Sequence, residues 1–389
     1  MNQDLGFKGF NLDPKLLSAV IALLVLGSVM VSSASISLAD SAMGEPHYFL
    51  VRHIGAIAIG CFGAAVAMAT PTDLWFRLNG LLLLAAMVLF ASVFVPGIGH
   101  TVNGATRWLD LGPLTLQPSE PARFCLLVYL SSYVVRHQTE LNAKTLGFLK
   151  PMSLVALACA LLLAQPDFGA AVVLTATGLG LLFVGGARLR DFFLSFVVAV
   201  AALSALALTS SYRLQRLTTF LDPWADPYNS GFQLTQSLIA IGRGDWLGVG
   251  LGESVQKLFY LPEAHTDFVF AVMAEELGFM GVTLAIVLFG IVVFKAISMG
   301  PRASELGMPF QGLVSTGIGL TLGIQAFINM GVNTGLLPTK GLTLPLISYG
   351  RTSVVITLVS LGLLARIHHE LVTAARRAEA LETRQRKKT

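Results

Sequence analysis

One apolar run after another fills this chain, each near the length that crosses a lipid bilayer. A crossing helix needs about 20 residues, and runs of that order lie near 16–38, 49–69, 78–96, 121–135, 151–164, 168–186, 191–210, 266–296, 309–335 and 349–370. The chain is therefore expected to be an all-α polytopic membrane protein of about ten transmembrane helices, forming a single domain over residues 1–389. With 54% hydrophobic and only 12% charged residues it lacks the polar surface of a soluble domain. The runs at 121 and 151 are short, so they extend further or sit inside the bundle. The first run is too long for a signal-peptide core and has no convincing cleavage site, so it is expected to stay attached. Cys61, Cys125 and Cys159 fall in apolar runs without paired spacing, which suggests packing rather than disulfides or zinc.

Basic residues set the orientation. With the N-terminus inside, Lys8, Lys15, Arg77, Arg136, Lys144, Lys150, Arg188, Arg190, Lys295, Arg302, Arg366 and the tail cations from Arg376 face the cytosol. Arg52, Arg107, Arg123, Arg213, Arg216, Arg243, Lys257, Lys340 and Arg351 fall on the other side or at outer helix ends. The bias places both termini in the cytosol, and residues 371–389 form a basic tail suited to anionic headgroups or a docking partner. Three non-apolar stretches then share the outer face: 96–121, 211–265 and 336–350. The middle one is the only long loop. Its turn-rich DPWADPYNSG precedes FQLTQSLIAIG, which mixes apolar and polar residues as an interfacial helix does.

Acidic residues inside a span cost roughly 2.5–3.5 kcal/mol, so they usually line polar cavities. In LPEAHTDFVFAVMAEELG, residues 261–278, Asp267 opens the span and Glu275 and Glu276 lie about 12–13 Å deeper along a helix. Asp267 is suited either to take a proton or to cap its helix together with Thr266. The two glutamates suit a buried polar network holding helices together, or a proton relay. Gly248, Gly250 and Gly252 follow no strand, so no nucleotide-binding loop is indicated. The histidines have no metal-ligand spacing, and His265 stands beside Asp267. Asp167, after Pro166, is expected to fix a tight outer turn.

Six motifs, in order along most of the chain, resemble the SEDS family: NGATRWLD at 103–110, QPSE at 117–120, QPDFG at 165–169, GVGLGES at 248–254, the segment 257–278, and PTKGLTLPLISYG at 338–350. KLFYLPEAHTDF and the last motif are closer to the family's division branch than to its elongation branch. The resemblance implies a peptidoglycan glycosyltransferase of the bacterial cytoplasmic (inner) membrane that polymerises lipid II at the septum. It implies as partners a class B penicillin-binding protein of the FtsI transpeptidase type and divisome membrane proteins such as FtsQ, FtsL and FtsB. No cofactor is specified, although a diphosphate leaving group is compatible with a divalent cation, and no nucleic acid is involved.

The family's catalytic aspartate maps onto Asp267, as general base. The resemblance places Trp108 and Glu120 in a substrate groove, with Arg107 and Arg123 beside them; relatives often carry Lys at Arg123. Lys257 and Arg243, in the long loop, are further candidates for meeting the diphosphate, against the alternative of solvated loop cations. After Gly350 relatives usually continue Gly-Ser-Ser where this chain has Arg351, Thr352 and Ser353. Arg351 is expected either to hold an anion at a helix start or to obstruct it. Two other function classes use the same bundle: a lipid II flippase, which needs access from both leaflets, and a non-catalytic scaffold that activates a partner synthase.

Overall fold

The computed structural model describes residues 9–102, 105–110, 115–208, 219–338 and 341–386. Each of the ten expected apolar segments coincides with helix: α1 (Pro14–Met43), α2 (Tyr48–Ala69), α3 and α4 (Thr72–Arg77, Asn79–Ser92), α5 (Ser119–Arg136), α7 (Thr145–Ala164), α8 (Phe168–Val184), α9 (Leu189–Leu208), α11 (Val269–Glu305), α12 (Pro309–Asn333) and α13 (Arg351–Arg386). The short α6 (Gln138–Ala143) joins α5 to α7. By length and hydropathy α1, α2, α7, α11, α12 and α13 can cross a membrane alone, while α4 and α8 are shorter apolar helices. The two segments that looked short lengthen as expected, α5 back to Ser119 and α7 back to Thr145. The basic tail continues α13 as helix to Arg386. Arg213, Arg216, Lys340, Lys8 and the last three residues lie outside the described residues.

One element departs from the all-α expectation. Between α4 and α5 the chain forms an antiparallel sheet, β1 (Gly99–Val102), β2 (Ala105–Asp110) and β3 (Thr115–Leu116), in the order β1-β2-β3. The strands are too short and polar for any membrane-scale pattern to announce them. In the long loop, FQLTQSLIAIG becomes α10 (Phe232–Gly244), as expected. It packs against α11 with Leu234 and Ala240 buried instead of lying free at an interface.

Helices in lipid associate through close packing, which small residues permit. A Cβ added at Gly362 on α13 would meet the Ala64 backbone of α2, so these helices touch backbone to backbone. The residues before α1 lie on α13: the Asn11 amide donates to His369 Nδ1 at 3.1 Å, and the Phe10 and His369 rings are 4.5 Å apart. Lys295, late in α11, reaches Asp13 at 2.7 Å. The segment before α1 and the part of α13 around His369 therefore share one end of the bundle, opposite the start of α11.

Helix α11 breaks at Gly278, where φ is 63° and ψ is −163°. That conformation is essentially restricted to glycine. The break frees backbone groups within a membrane span, where each has to be paired. The loop after α10 supplies the partners: the Val249 and Gly250 amides donate to the Glu275 and Glu276 carbonyls at 3.0 and 3.1 Å. The Phe279 and Met280 amides donate to the Asp245 and Trp246 carbonyls at 2.9 and 3.2 Å. Gly278→Ala forces a Cβ toward the Trp246 carbonyl carbon, 2.7 Å away. It is expected to destabilise by about 1–3 kcal/mol from backbone strain alone. Thermal melting in detergent checks this, and an unchanged melting temperature contradicts the role given to the break.

Candidate active site

Asp267 lies in the turn before α11, two residues ahead of its first helical residue. The N-cap position belongs to Phe268, and the Thr266 hydroxyl turns back to donate to the Glu263 carboxylate at 2.6 Å. The Asp267 carbonyl accepts from Asn329 Nδ2 at 2.9 Å and from Asn333 Nδ2 at 3.0 Å. Its carboxylate lies against Gly341, where an added Cβ would stand 3.0 Å from Oδ2. The side chain is half-buried, at the end of the bundle remote from the termini.

Gly341 begins a non-helical segment, 341–350, that runs within the bundle with Leu344, Ile347 and Ser348 almost fully buried. Its backbone is paired within the protein. The Leu344 amide donates to Ser348 Oγ at 2.8 Å, and the Tyr349 amide to the His265 carbonyl at 2.9 Å. Gln325 Nε2 and Asn329 Nδ2 on α12 donate to the Thr343 and Leu342 carbonyls at 3.1 and 2.6 Å. The His265 ring packs between Phe49 and Tyr349, with centroids 4.6 and 5.6 Å away. Burial pushes its pKa below the ordinary range while Glu263 pulls it up.

Glu120 and Arg123 occupy the first turn of α5 as a buried pair at 2.5 Å. Arg123 Nη2 also approaches Gln325 Oε1 at 3.5 Å, one helical turn along α12 from Asn329. Its Nε and Nη1 are buried without a hydrogen-bond partner. Glu120, Arg123, Thr321, Gln325, Thr357 and Ser360 are among the residues lining a cavity of about 40 Å³, room for water. The structure thus joins Asp267, the 341–350 segment and the Glu120–Arg123 pair along one face of α12.

Other expected site residues are placed elsewhere. On β2, Arg107 donates to the Gln165 carbonyl at 3.3 Å and to the Pro166 carbonyl, tying the sheet to the turn before α8. Asp167 caps α8 by accepting from the Ala170 amide at 3.1 Å, the structural role expected of it. Trp108 is half-buried opposite His100 in the sheet. Arg351 Nη2 donates to the Thr115 hydroxyl, and Thr352 Oγ1 accepts from the Gln117 amide at 3.1 Å. The Arg-Thr pair therefore latches β3 and the QPSE turn to the start of α13.

Lys257 corrects the picture of a loop cation open to solvent. It is 7% exposed, and its ammonium donates to Glu276 at 2.8 Å, Ser33 at 2.9 Å and the Gly252 carbonyl at 2.6 Å, which uses all three protons. Glu275 accepts from Arg243 at 2.8 Å, Ser254 at 2.5 Å and the Val255 amide at 3.1 Å. The paired glutamates therefore bolt the loop onto α11, a buried network and not a string of proton carriers. Among the described residues no three His, Cys, Asp or Glu side chains converge on a metal-sized position.

Sequence reasoning passed over Gln325, Asn329 and Asn333. The readable signal was three amides at four-residue spacing in an otherwise apolar helix, since buried polar groups in a span need partners.

A family described as "Cell cycle protein" matches residues 14–373. The chain belongs to this family. It is 54% identical over 361 residues, 93% of this chain and 90% of the relative, to the probable peptidoglycan glycosyltransferase FtsW of Thioalkalivibrio sulfidiphilus. Its identity to the protein of the same description from Halorhodospira halophila is 52% over 365 residues, 94% of this chain and 92% of the relative. Among solved structures it is similar to a chain from work described as "Structural coordination of polymerization and crosslinking by a peptidoglycan synthase complex". That likeness has TM-score 0.75 and 31% identity, covering 92% of this chain and 98% of the other. The rod shape determining protein RodA of Thermus thermophilus matches with TM-score 0.68 and 29% identity, covering 92% and 96%. The similarity to the SEDS family and to its division branch thus spans nearly the whole chain.

The Lys257–Glu276 pair yields a direct test. Lys257→Met leaves a buried carboxylate without its counter-ion and is expected to cost about 3–5 kcal/mol, whereas Lys257→Met with Glu276→Leu recovers most of that loss. Melting of the two variants separates this from a substrate-binding lysine, which would alter activity and leave the melting temperature in place.

Proposed function

We propose that the chain is a peptidoglycan glycosyltransferase of the division type, polymerising lipid II on the outer face of the bacterial cytoplasmic membrane with Asp267 as general base. The observation that carries the reading is the setting of Asp267. Its backbone is clamped by two buried amides and its carboxylate lies against Gly341, in a chain related end to end to proteins described as FtsW.

In the reaction an acceptor sugar hydroxyl attacks the anomeric carbon of a lipid-linked donor. The new C–O bond forms as the bond to the diphosphate breaks, and the hydroxyl proton passes to the Asp267 carboxylate. The departing diphosphate gains charge that a buried cation can offset. Arg123 suits this role because two of its guanidinium nitrogens have no protein partner. Glu120 holds the guanidinium in place. Trp108 and Arg107 stand on the sheet over this end of the bundle, where sugar and diphosphate groups would approach. Arg351 latches β3 and acts on the groove through it, while Lys257 holds the loop to α11.

The segment before α1 meets α13 at His369, at the end opposite Asp267, which supports both termini lying in the cytosol, with 211–265 outside and the basic tail from 371 inside. A class B penicillin-binding protein of the FtsI type is the proposed crosslinking partner, and FtsQ, FtsL and FtsB accompany it at the septum.

Polymerisation of lipid II by the purified protein, with and without the transpeptidase, is the test. Asp267→Asn is expected to abolish strand synthesis while leaving melting temperature and partner binding intact. Full activity in that variant removes the base assignment, and a defect confined to lipid translocation assigns the chain to flipping. Gly341→Ala should lower turnover by roughly tenfold or more, since its methyl group displaces the carboxylate and small misplacements cost up to about 100-fold. Wild-type turnover there would mean that the 341–350 segment does not set the carboxylate's position.

A further inference from the structure

Three buried amides stand one above another on α12, at Gln325, Asn329 and Asn333, exposed by 3%, 2% and 0%. Residues four apart share a helix face. A buried amide in an apolar span is unfavourable unless its polar atoms are paired, and the pairing here is specific. Most of the bonds run to backbone atoms of segments that are not helical.

Asn333 bridges two backbone groups at the start of α11. In a regular helix the Ala271 amide would donate to the carbonyl four residues earlier, that of Asp267. Here the Ala271 amide donates to the Phe268 carbonyl at 3.0 Å and to Asn333 Oδ1 at 3.2 Å, and Asn333 Nδ2 donates to the Asp267 carbonyl at 3.0 Å and to the Asn329 carbonyl at 2.9 Å. The side-chain amide is inserted between the two groups. Its orientation is fixed, because one end faces a donor and the other an acceptor. The Asn333 carbonyl accepts in turn from Ser237 on α10 at 2.8 Å.

Asn329 extends the clamp. Its Nδ2 donates to both the Asp267 carbonyl and the Leu342 carbonyl, which joins the aspartate's peptide to the residue after Gly341. Two acceptors on one side dictate the amide's orientation, and Oδ1 is left buried without a partner. Optimising local pairing alone would not produce that arrangement, whereas fixing two carbonyls against one another does.

We infer that Asn329 and Asn333 are positioning residues that hold Asp267 outside α11 and in register with the 341–350 segment. They set turnover and not substrate affinity. This rests on Asp267 being the base. Without the bridging amide, the Ala271 amide can exchange its bond to the Phe268 carbonyl for one to the Asp267 carbonyl, the helix lengthens backwards, and the carboxylate turns away from Gly341.

Steady-state lipid II polymerisation by the full-length protein with its transpeptidase tests this. Asn333→Ala and Asn329→Ala are expected to lower kcat by ~10–100-fold, with KM for lipid II within about twofold of wild type. Neither should reduce residual activity further in an Asp267→Asn background. Ser237→Ala, which removes only the bond to the Asn333 carbonyl, should leave kcat within about twofold. Wild-type kcat in both asparagine variants overturns the inference, as does a loss expressed mainly in KM. Variants that melt below the assay temperature also overturn it, because the amides would then serve folding. If Asp267→Asn itself polymerises at full rate, the base assignment has failed. If it is inactive while Asn333→Ala turns over normally, only the positioning role has failed.

Discussion

Backbone that leaves helical geometry inside a bilayer has to find its hydrogen bonds within the protein, because lipid offers none. Two stretches here do so, the α11 break at Gly278 and the buried segment 341–350, and the functional end of the bundle is built around satisfying them. At the break, the loop after α10 supplies four backbone bonds, while Glu275 and Glu276 gather Arg243, Ser254, Lys257 and Ser33 around it. At the buried segment, α12 supplies Gln325 and Asn329. Asp267 sits between the two, ahead of the break and against Gly341. Its position follows from how both irregular stretches are held.

Charge is handled differently at the two places. Around the break, cations and carboxylates are matched, and Lys257 has no proton left to offer a ligand. Further along the same face of α12, the Glu120–Arg123 pair is matched in charge but keeps two guanidinium nitrogens without a protein partner. The cavity they line has room for a water, or for an anionic oxygen in its place, to meet these donors. The contrast separates residues that fasten the loop from those that can meet an anionic group.

Fold class and helix positions were readable in the sequence because each rests on a strong local signal, and Asp267 stood out as a candidate. Twenty-residue apolar runs have few alternatives, and an acidic residue at the mouth of such a run is conspicuous. The sheet was hidden because its strands are two to six residues long. Lys257 was read as a candidate for the diphosphate or a solvated loop cation, and its buried pairing was hidden because its partners, Ser33 and Glu276, are 224 and 19 residues away in the chain. The Arg351-Thr352 departure acquires a reason only in three dimensions, where both residues hold the stretch around Thr115 and Gln117. Asn329 and Asn333 were visible as amides in an apolar helix, but their meaning depends on the backbone groups around Asp267 that they bridge.

The pH dependence of kcat for glycan-strand elongation tests the central claim most directly, that one carboxylate at the start of α11 takes the proton of the attacking hydroxyl. Measured on wild-type protein with saturating lipid II, kcat is predicted to fall on the acidic side by about tenfold per pH unit, the signature of a single group that has to be deprotonated. A kcat that stays level through the acidic range while the protein remains folded would contradict a carboxylate base at Asp267.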